Sequence, residues 1–134
     1  MRKPPDNTQT VTALDVGSGS GIMTALIYFV LKALFPFKRV QVVGVEHIAE
    51  LAQQSRENLI AAGLGDLVKA GCLYIVHGDG SGDRPGTDLQ PMNKITHFDV
   101  INCGASAVEV PESLKRRLKP HGRFVCPIGP RYAR

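Results

Sequence analysis

The stretch Leu14–Gly21, which reads LDVGSGSG, decides the fold. It places glycine at positions 17, 19 and 21, between the apolar run Val11–Val16 and the apolar segment Ile22–Phe35. The first run is typical of a short buried strand, and the second is long enough for a helix. A glycine turn between them lets a ligand reach the backbone and the partly positive N-terminus of the helix. The stretch predicts a nucleotide-binding turn, although many α/β proteins use such a turn only to change direction.

The composition indicates a single globular domain. The chain has 134 residues, is 43% hydrophobic and 21% charged, and carries a net charge of +4. Residues 22–35 are too few to cross a bilayer, and we expect them to form a nearly encased helix. Three widely spaced cysteines and four scattered histidines predict neither a disulfide framework nor a metal site. We therefore expect a cytoplasmic protein without a membrane contact.

Strands and helices alternate along the chain. The predicted strands are Val11–Val16, Arg39–Val45, Leu73–Val76, Phe98–Asn102 and Arg123–Ile128, and the predicted helices are about Ile22–Leu34, Ile48–Ala62 and Pro111–Leu118. This alternation predicts an α/β fold with a doubly wound, mostly parallel sheet covered by helices on both faces. Residues 1–10 are expected to be disordered and residues 11–134 to form the domain, with Gly78–Thr96 as a loop at the carboxyl edge of the sheet.

Polar or glycine residues follow the carboxyl ends of four predicted strands. Asp15 and the glycine turn close the first strand, and Glu46 and His47 follow the second. His77–Gly80 follows the third strand, and Cys103–Ser106 follows the fourth. Open parallel sheets bind ligands at this edge, near the point where the strand order reverses. The sequence therefore predicts one crevice lined by these groups.

The chemistry of these groups narrows the ligand. An ionised Glu46 only accepts hydrogen bonds and so suits two ribose hydroxyls, while Asp79 and the Gly80 N–H suit adenine. The dinucleotide fingerprint fails because Ile22 stands where its third glycine belongs. No Walker lysine follows the turn either, so phosphate is not the obvious ligand. Asp15 can accept hydrogen bonds from the ammonium group of an amino acid, and the backbone amides of the glycine turn can donate to its carboxylate. The residues favour S-adenosylmethionine, the alternative being that Glu46 and Asp79 merely cap the segments that follow them.

Four longer stretches resemble the protein-L-isoaspartate O-methyltransferase family. They read TALDVGSGSG from Thr12, VVGVEHIAELAQQSRENL from Val42, VHGDG from Val76, and FDVINCGASAVEVPESLKRRLKPHGRFVCPIGP from Phe98. The resemblance extends from Val11 to Pro130. It implies a class I methyltransferase, a Rossmann-like fold, with S-adenosylmethionine as the cofactor.

The resemblance also assigns site residues. It implies that one group of residues lines the cofactor, namely Asp15, Gly17, Ser18, Gly19, Gly21, Glu46, His47, Asp79 and Gly80. It implies that a second group receives the isoaspartyl peptide, namely Gly104, Ala105, Ser106, Ala107, Val108, Pro127, Ile128 and Gly129. The implied activity is methylation of the carboxyl group of L-isoaspartyl residues in damaged proteins, a repair reaction. No catalytic residue is assigned, because a carboxyl group with a pKa of about 4 is already an anion at neutral pH.

The sequence departs from the family in ways that bear on activity. The family has substrate-binding segments before the first strand and after Pro130, and the chain looks truncated relative to it at both ends, after about five strands. The family loop that reads Ala-Ala-Ala-Pro is here Ala105-Ser106-Ala107-Val108. We therefore expect cofactor binding with poor turnover of isoaspartyl peptides. An uncovered sheet edge is also expected to promote self-association.

Two other functions stay open from the sequence. One is a non-catalytic domain that binds the cofactor or a partner protein. The other, less favoured, is an RNA methyltransferase that uses the basic cluster Lys115, Arg116, Arg117 and Lys119. No pair of base-reading aromatic residues accompanies that cluster, and a solvated helix face explains it as well.

Overall fold

The structure is a computed structural model, and it describes residues 10–78, 95, 97–104 and 112–125. The strands are β1 (Thr10–Val16), β2 (Arg39–Glu46), β3 (Leu73–His77), β4 (Phe98–Cys103) and β5 (Leu118–Val125). The helices are α1 (Ile22–Leu34), α2 (Ala49–Ala61), α3 (Gly65–Lys69) and α4 (Glu112–Lys115). Residues 1–9 of the predicted disordered segment lie outside the described residues, and Thr10 already belongs to β1.

The strands form one parallel sheet in the order β3-β2-β1-β4-β5. β1 is central and pairs with β2 on one side and with β4 on the other. The strand order reverses between β1 and β4, so the switch point lies at the carboxyl end of β1, where the glycine turn begins. The predicted α/β fold with a doubly wound parallel sheet is confirmed.

The core lies on both faces of the sheet, as the nearly continuous apolar runs of the inner strands require. On one face, side chains of α1 and α2 pack on β1, β2 and β3, with Tyr28, Leu31 and Leu59 among the buried residues. On the other face, Leu114 of α4 packs with side chains that include Phe98 and Ile101 of β4. The sheet is therefore held between two hydrophobic layers.

Helix α1 is less covered than the sequence suggested. Thr24, Tyr28 and Leu31 are buried, but a stripe along the opposite face is exposed, formed by Ile22, Met23, Leu26, Phe29, Val30 and Leu34. The expectation of a nearly encased helix is wrong, because only one face of α1 packs on the sheet. Within the described residues, no helix combines the length and apolarity needed to span a membrane.

Two boundaries near the carboxyl end differ from the prediction. β5 begins at Leu118 instead of Arg123, and α4 covers only Glu112–Lys115. Leu118 pairs with Phe98, the chain then bulges, and the ladder resumes between Arg123 and Val100. His121 adopts a left-handed φ of 68° within this bulge. Pro120 and Gly122 lie inside this irregular strand. The short helix α3 was not predicted from the sequence.

Candidate functional site

The glycine turn folds back over the end of β2. Gly17, Gly19 and Gly21 have φ angles of 80°, 56° and 91°, in the left-handed region that favours glycine. The amides of Gly17 and Ser18 both donate to the carbonyl oxygen of Val45, at 2.8 and 3.1 Å. The alternate glycines therefore allow a tight turn that presses its backbone against the neighbouring strand.

Gly44 makes room for this turn from below. A Cβ atom at this position would lie 2.6 Å from Cδ1 of Ile75, 2.8 Å from Oγ1 of Thr24 and 2.9 Å from Cβ of Ser18. Such distances are too short for real side-chain contacts. Only glycine at this place in β2 lets α1 and the turn sit directly on the sheet.

Glu46 ends β2 beside the turn, and its carboxylate is nearly buried, with the residue 4% exposed. Its Oε1 accepts a hydrogen bond from the Gly19 amide at 2.9 Å, and its Oε2 accepts one from the Ile48 amide at 3.3 Å. Nδ1 of the exposed His47 lies 3.6 Å from Oε2. A carboxylate offers about four acceptor positions, so these contacts leave capacity for ligand hydroxyls.

Asp15 lies at the end of β1 and is 1% exposed. Its Oδ2 accepts a hydrogen bond from Oγ1 of Thr24 at 2.7 Å, and its Oδ1 accepts one from Nδ2 of Asn102 at 3.0 Å. Burial raises the pKa of Asp15 above its ordinary value, and the two hydrogen bonds lower the pKa in part. The carboxylate is therefore held within the fold below the turn.

Ser18 supplies a buried group that the described fold leaves without a partner. The residue is 5% exposed, and its Oγ has no hydrogen-bond partner among the described residues. Buried polar groups are normally hydrogen-bonded, and an unpaired one costs about 1–3 kcal/mol. At neighbouring Gly19 the position of a Cβ atom faces open space, with no atom within 4 Å. The turn therefore combines a buried hydroxyl without a described partner with open space beside Gly19.

The ends of β3 and β4 meet the same place. The Gly78 amide donates to the carbonyl oxygen of Glu46 at 3.0 Å, and the Gly104 amide donates to that of Val16 at 2.8 Å. A Cβ atom on Gly104 would lie 3.1 Å from the carbonyl oxygen of Gly17, so a bare backbone is needed for this approach. The strand ends thus converge as the sequence predicted.

The convergence brings together the site residues that the structure describes, namely Asp15, Gly17, Ser18, Gly19, Gly21, Glu46, His47 and Gly104. The others lie outside the described residues, namely Asp79, Gly80, Ala105, Ser106, Ala107, Val108, Pro127, Ile128 and Gly129. The ligand contacts expected of both groups stay predictions.

Sequence reasoning missed three residues that hold the site together. Thr24 and Asn102 bind Asp15, and Nδ2 of Asn58 on α2 donates to the Ser20 carbonyl oxygen at 2.9 Å. Thr24 and Asn102 are polar residues within otherwise apolar runs, which is the signal that could have found them. Asn58 carries no such signal, because a run of polar residues precedes it in α2.

The basic cluster is partly engaged in the fold. Nζ of Lys119 lies 2.9 Å from Oδ2 of Asp99, an atom that also accepts a hydrogen bond from the Thr12 amide at 2.8 Å. Lys119 therefore has a structural role in joining β5 to β4 and β1. In the part of the chain that the structure describes, no group of histidine, cysteine or acidic residues could hold a metal ion.

The sequence profile of the protein-L-isoaspartate(D-aspartate) O-methyltransferase family matches residues 7–134. The chain belongs to this family. Methyltransferases of this name from Arabidopsis thaliana and Triticum aestivum are 38% and 40% identical to it, over 116 and 117 residues. Each alignment covers 87% of this chain but 45% of the relative. The chain thus spans about half the length of the curated isoaspartate methyltransferases it matches.

Solved isoaspartate methyltransferases share the fold. A Plasmodium falciparum protein assigned to this activity, solved with S-adenosyl-L-homocysteine, superposes with a TM-score of 0.72 at 31% identity, over 91% of this chain and 53% of that one. A second protein-L-isoaspartate O-methyltransferase gives a TM-score of 0.67 at 25% identity, over 92% of this chain and 33% of that one. The Rossmann-like class I methyltransferase fold is therefore confirmed.

Proposed function

We propose that this chain binds S-adenosylmethionine and supports methyl transfer to the carboxyl group of L-isoaspartyl residues in damaged proteins. Family membership supports the activity, and the S-adenosyl-L-homocysteine in the Plasmodium falciparum relative supports the cofactor. The observation that carries the proposal is the pairing of the left-handed glycine turn with the Glu46 carboxylate, 2.9 Å from the Gly19 amide.

The donor set at the turn fits this cofactor. The Ser18 hydroxyl, buried and without a partner among the described residues, suits the amino-acid end of the ligand, and the open space beside Gly19 leaves room for it. The free acceptor positions of Glu46 suit two ribose hydroxyls, and we assign Asp79 and Gly80 to adenine. When bound, S-adenosylmethionine supplies a methyl group on a positively charged sulfur.

Alignment is the main task that we assign to the protein. An isoaspartyl carboxylate is ionised at neutral pH, because its pKa is about 4, so no strong protein base is needed. Residues Gly104–Val108 and Pro127–Gly129 would orient this carboxylate and exclude water. Gly104 supports this assignment, because its contacts with Val16 and Gly17 place the start of the loop against the glycine turn.

Two measurements test the proposal. Calorimetry should detect binding of S-adenosyl-L-homocysteine and no binding of NAD. Transfer of labelled methyl groups should favour an isoaspartyl peptide over the same peptide with ordinary aspartate, in a single-turnover assay. Binding of NAD without a response to S-adenosyl-L-homocysteine would refute the cofactor assignment. Equal labelling of the two peptides would refute the substrate assignment.

A cytoplasmic location and self-association complete the proposal. The chain has three widely spaced cysteines and no C-x-x-C pair, which supports a reducing compartment, and cell fractionation tests this location. β3 and β5 end the described sheet, and an unpaired strand edge is a template for association with another chain. Sedimentation over a range of concentrations tests that association. A protein that stays monomeric throughout would contradict it.

A further inference from the structure

In the sheet, Asp15 lies between a polar residue on one neighbouring strand and a glycine on the other. In the ladder it pairs with Asn102 of β4 on one side and with Gly44 of β2 on the other. Thr24 of α1 binds it at 2.7 Å, and Asn102 binds it at 3.0 Å. One carboxylate thus joins the central strand, the first helix and the strand beyond the switch point.

We propose that Asn102 is a positioning residue for the cofactor site, which holds the Asp15 carboxylate in place and thereby fixes the glycine turn against the end of β4. The inference rests on the proposed function, because it concerns the same S-adenosylmethionine site. We expect Asn102 to affect ligand binding by holding Asp15, without contacting the ligand itself.

The orientation of the Asn102 amide follows from hydrogen-bond chemistry. An ionised carboxylate only accepts hydrogen bonds, so the NH2 group of Asn102 must face Asp15. Asn102 is followed by Cys103 and then by Gly104, whose amide donates to Val16. Thr24 lies in the first turn of α1, directly after the glycine turn. The bonds to Asp15 therefore connect the turn to the segment that leads into the proposed peptide loop.

The electrostatic surroundings of Asp15 make this connection testable by pH. The charged or titratable side chains on the neighbouring elements are Arg39 and Glu46 of β2, Asp99 and Cys103 of β4, and Tyr28 and Lys32 of α1. The pKa of Asp15 responds to burial and to the bonds from Thr24 and Asn102. A second carboxylate at position 102 would add repulsion between like charges about 3 Å apart.

The experiment first changes Asn102 alone and then exchanges the carboxylate and the amide between positions 15 and 102. Asn102→Asp creates a pair of carboxylates that share a proton at low pH and repel each other once both ionise. Relative to the unchanged chain, its affinity for S-adenosyl-L-homocysteine should fall on the order of tenfold between pH 5.5 and pH 8, as a one-unit pKa difference would give. The exchanged variant Asp15→Asn with Asn102→Asp again has one carboxylate and one amide. It should recover most of this affinity.

Gln41→Glu is the matched control. Gln41 lies near the amino end of β2, and its amide donates to the Gly71 carbonyl oxygen at 3.1 Å. The same change from amide to carboxylate there should leave the pH profile of affinity unchanged. If Asn102→Asp follows the pH profile of the unchanged chain, or if the exchanged variant is no better than Asn102→Asp, the proposal is wrong.

Hydrogen exchange separates this inference from the proposed function. In the ligand-free chain, Asn102→Leu should speed amide exchange in residues 15–24, and Thr24→Val should act in the same direction. Faster exchange in a chain that does not bind S-adenosyl-L-homocysteine would support the positioning role and refute the proposed cofactor. Unchanged exchange in both variants, with normal binding by the unchanged chain, would refute the positioning role alone.

Discussion

The amide of Gly19 donates a hydrogen bond to Oε1 of Glu46 at 2.9 Å, across the gap between the glycine turn and the end of β2. The carboxylate that we assign to the ribose hydroxyls therefore also holds the turn on which the amino-acid end would bind. Loss of this side chain would remove the proposed ligand contact and a support of the turn together.

Substitution of Glu46 tests this double role. Glu46→Ala should reduce the affinity for S-adenosyl-L-homocysteine by about 1.5–3 kcal/mol, the range for hydrogen bonds to a charged group. Calorimetry measures the loss. Glu57→Ala is the control, because Glu57 lies exposed on α2 and accepts a hydrogen bond from Gln53. Unchanged affinity in Glu46→Ala would place this carboxylate outside the binding site.

The space around Gly44 predicts a large difference between two glycine substitutions. Gly44→Ala should destabilise the fold by about 1–3 kcal/mol, because its Cβ would overlap Thr24, Ser18 and Ile75. Gly65→Ala should be neutral or stabilise by up to about 1 kcal/mol, since no atom lies within 4 Å of its Cβ position. Urea unfolding of both variants compares them. Equal stabilities would show that the turn is not pressed against β2.

The raised pKa of Asp15 predicts how stability depends on pH. Unfolded Asp15 loses its proton near its ordinary pKa of 3.8, whereas the buried carboxyl group keeps its proton to a higher pH. The fold is therefore stabilised by its preference for protonated Asp15. This stabilisation is fully present below pH 3.8 and is lost as the pH rises through the raised pKa of the folded state. Asp15→Asn removes the titration and should therefore gain stability relative to the unchanged chain as the pH rises.

Thermal unfolding between pH 4 and pH 8 measures this difference. Asp66→Asn, at an exposed position in α3, should show no such gain. An Asp15→Asn chain that loses stability relative to the unchanged chain with rising pH would mean that Asp15 is favoured in its ionised form by the fold.

The exposed stripe of α1 predicts surface behaviour. Leu26 is 51% exposed and Leu34 is 65% exposed. Replacing both with lysine should reduce the binding of a hydrophobic dye and any self-association, while changing stability by only about 0.5 kcal/mol at each site. Fluorescence and sedimentation measure these effects. Leu31→Lys is the contrasting variant, because Leu31 is 7% exposed and its replacement should unfold the chain. Dye binding that persists in the double variant would assign it to another surface.

The amino-acid sequence by itself determined the parallel α/β fold and the approach of Glu46 to the glycine turn. Stretches such as Val11–Val16 and Arg39–Val45 are mostly apolar because their side chains are buried on both faces of a sheet. Their apolar composition and short length therefore identify them as strands from the local sequence alone. The glycines of the turn and Glu46 follow those strands directly. Parallel strands bring their carboxyl ends to one edge, which makes the approach of Glu46 to the turn predictable.

Only the tertiary structure decided which side chains support the site. The partners of Asp15 lie 9 and 87 positions away in the chain, and their meeting depends on the register of β1 with β4 and on the packing of α1. The exposed apolar face of α1 could not be predicted from the sequence either. Hydrophobic periodicity shows which residues are apolar, but it does not show which of them other parts of the fold cover. Such long-range contacts arise from packing, and local sequence does not encode them separately.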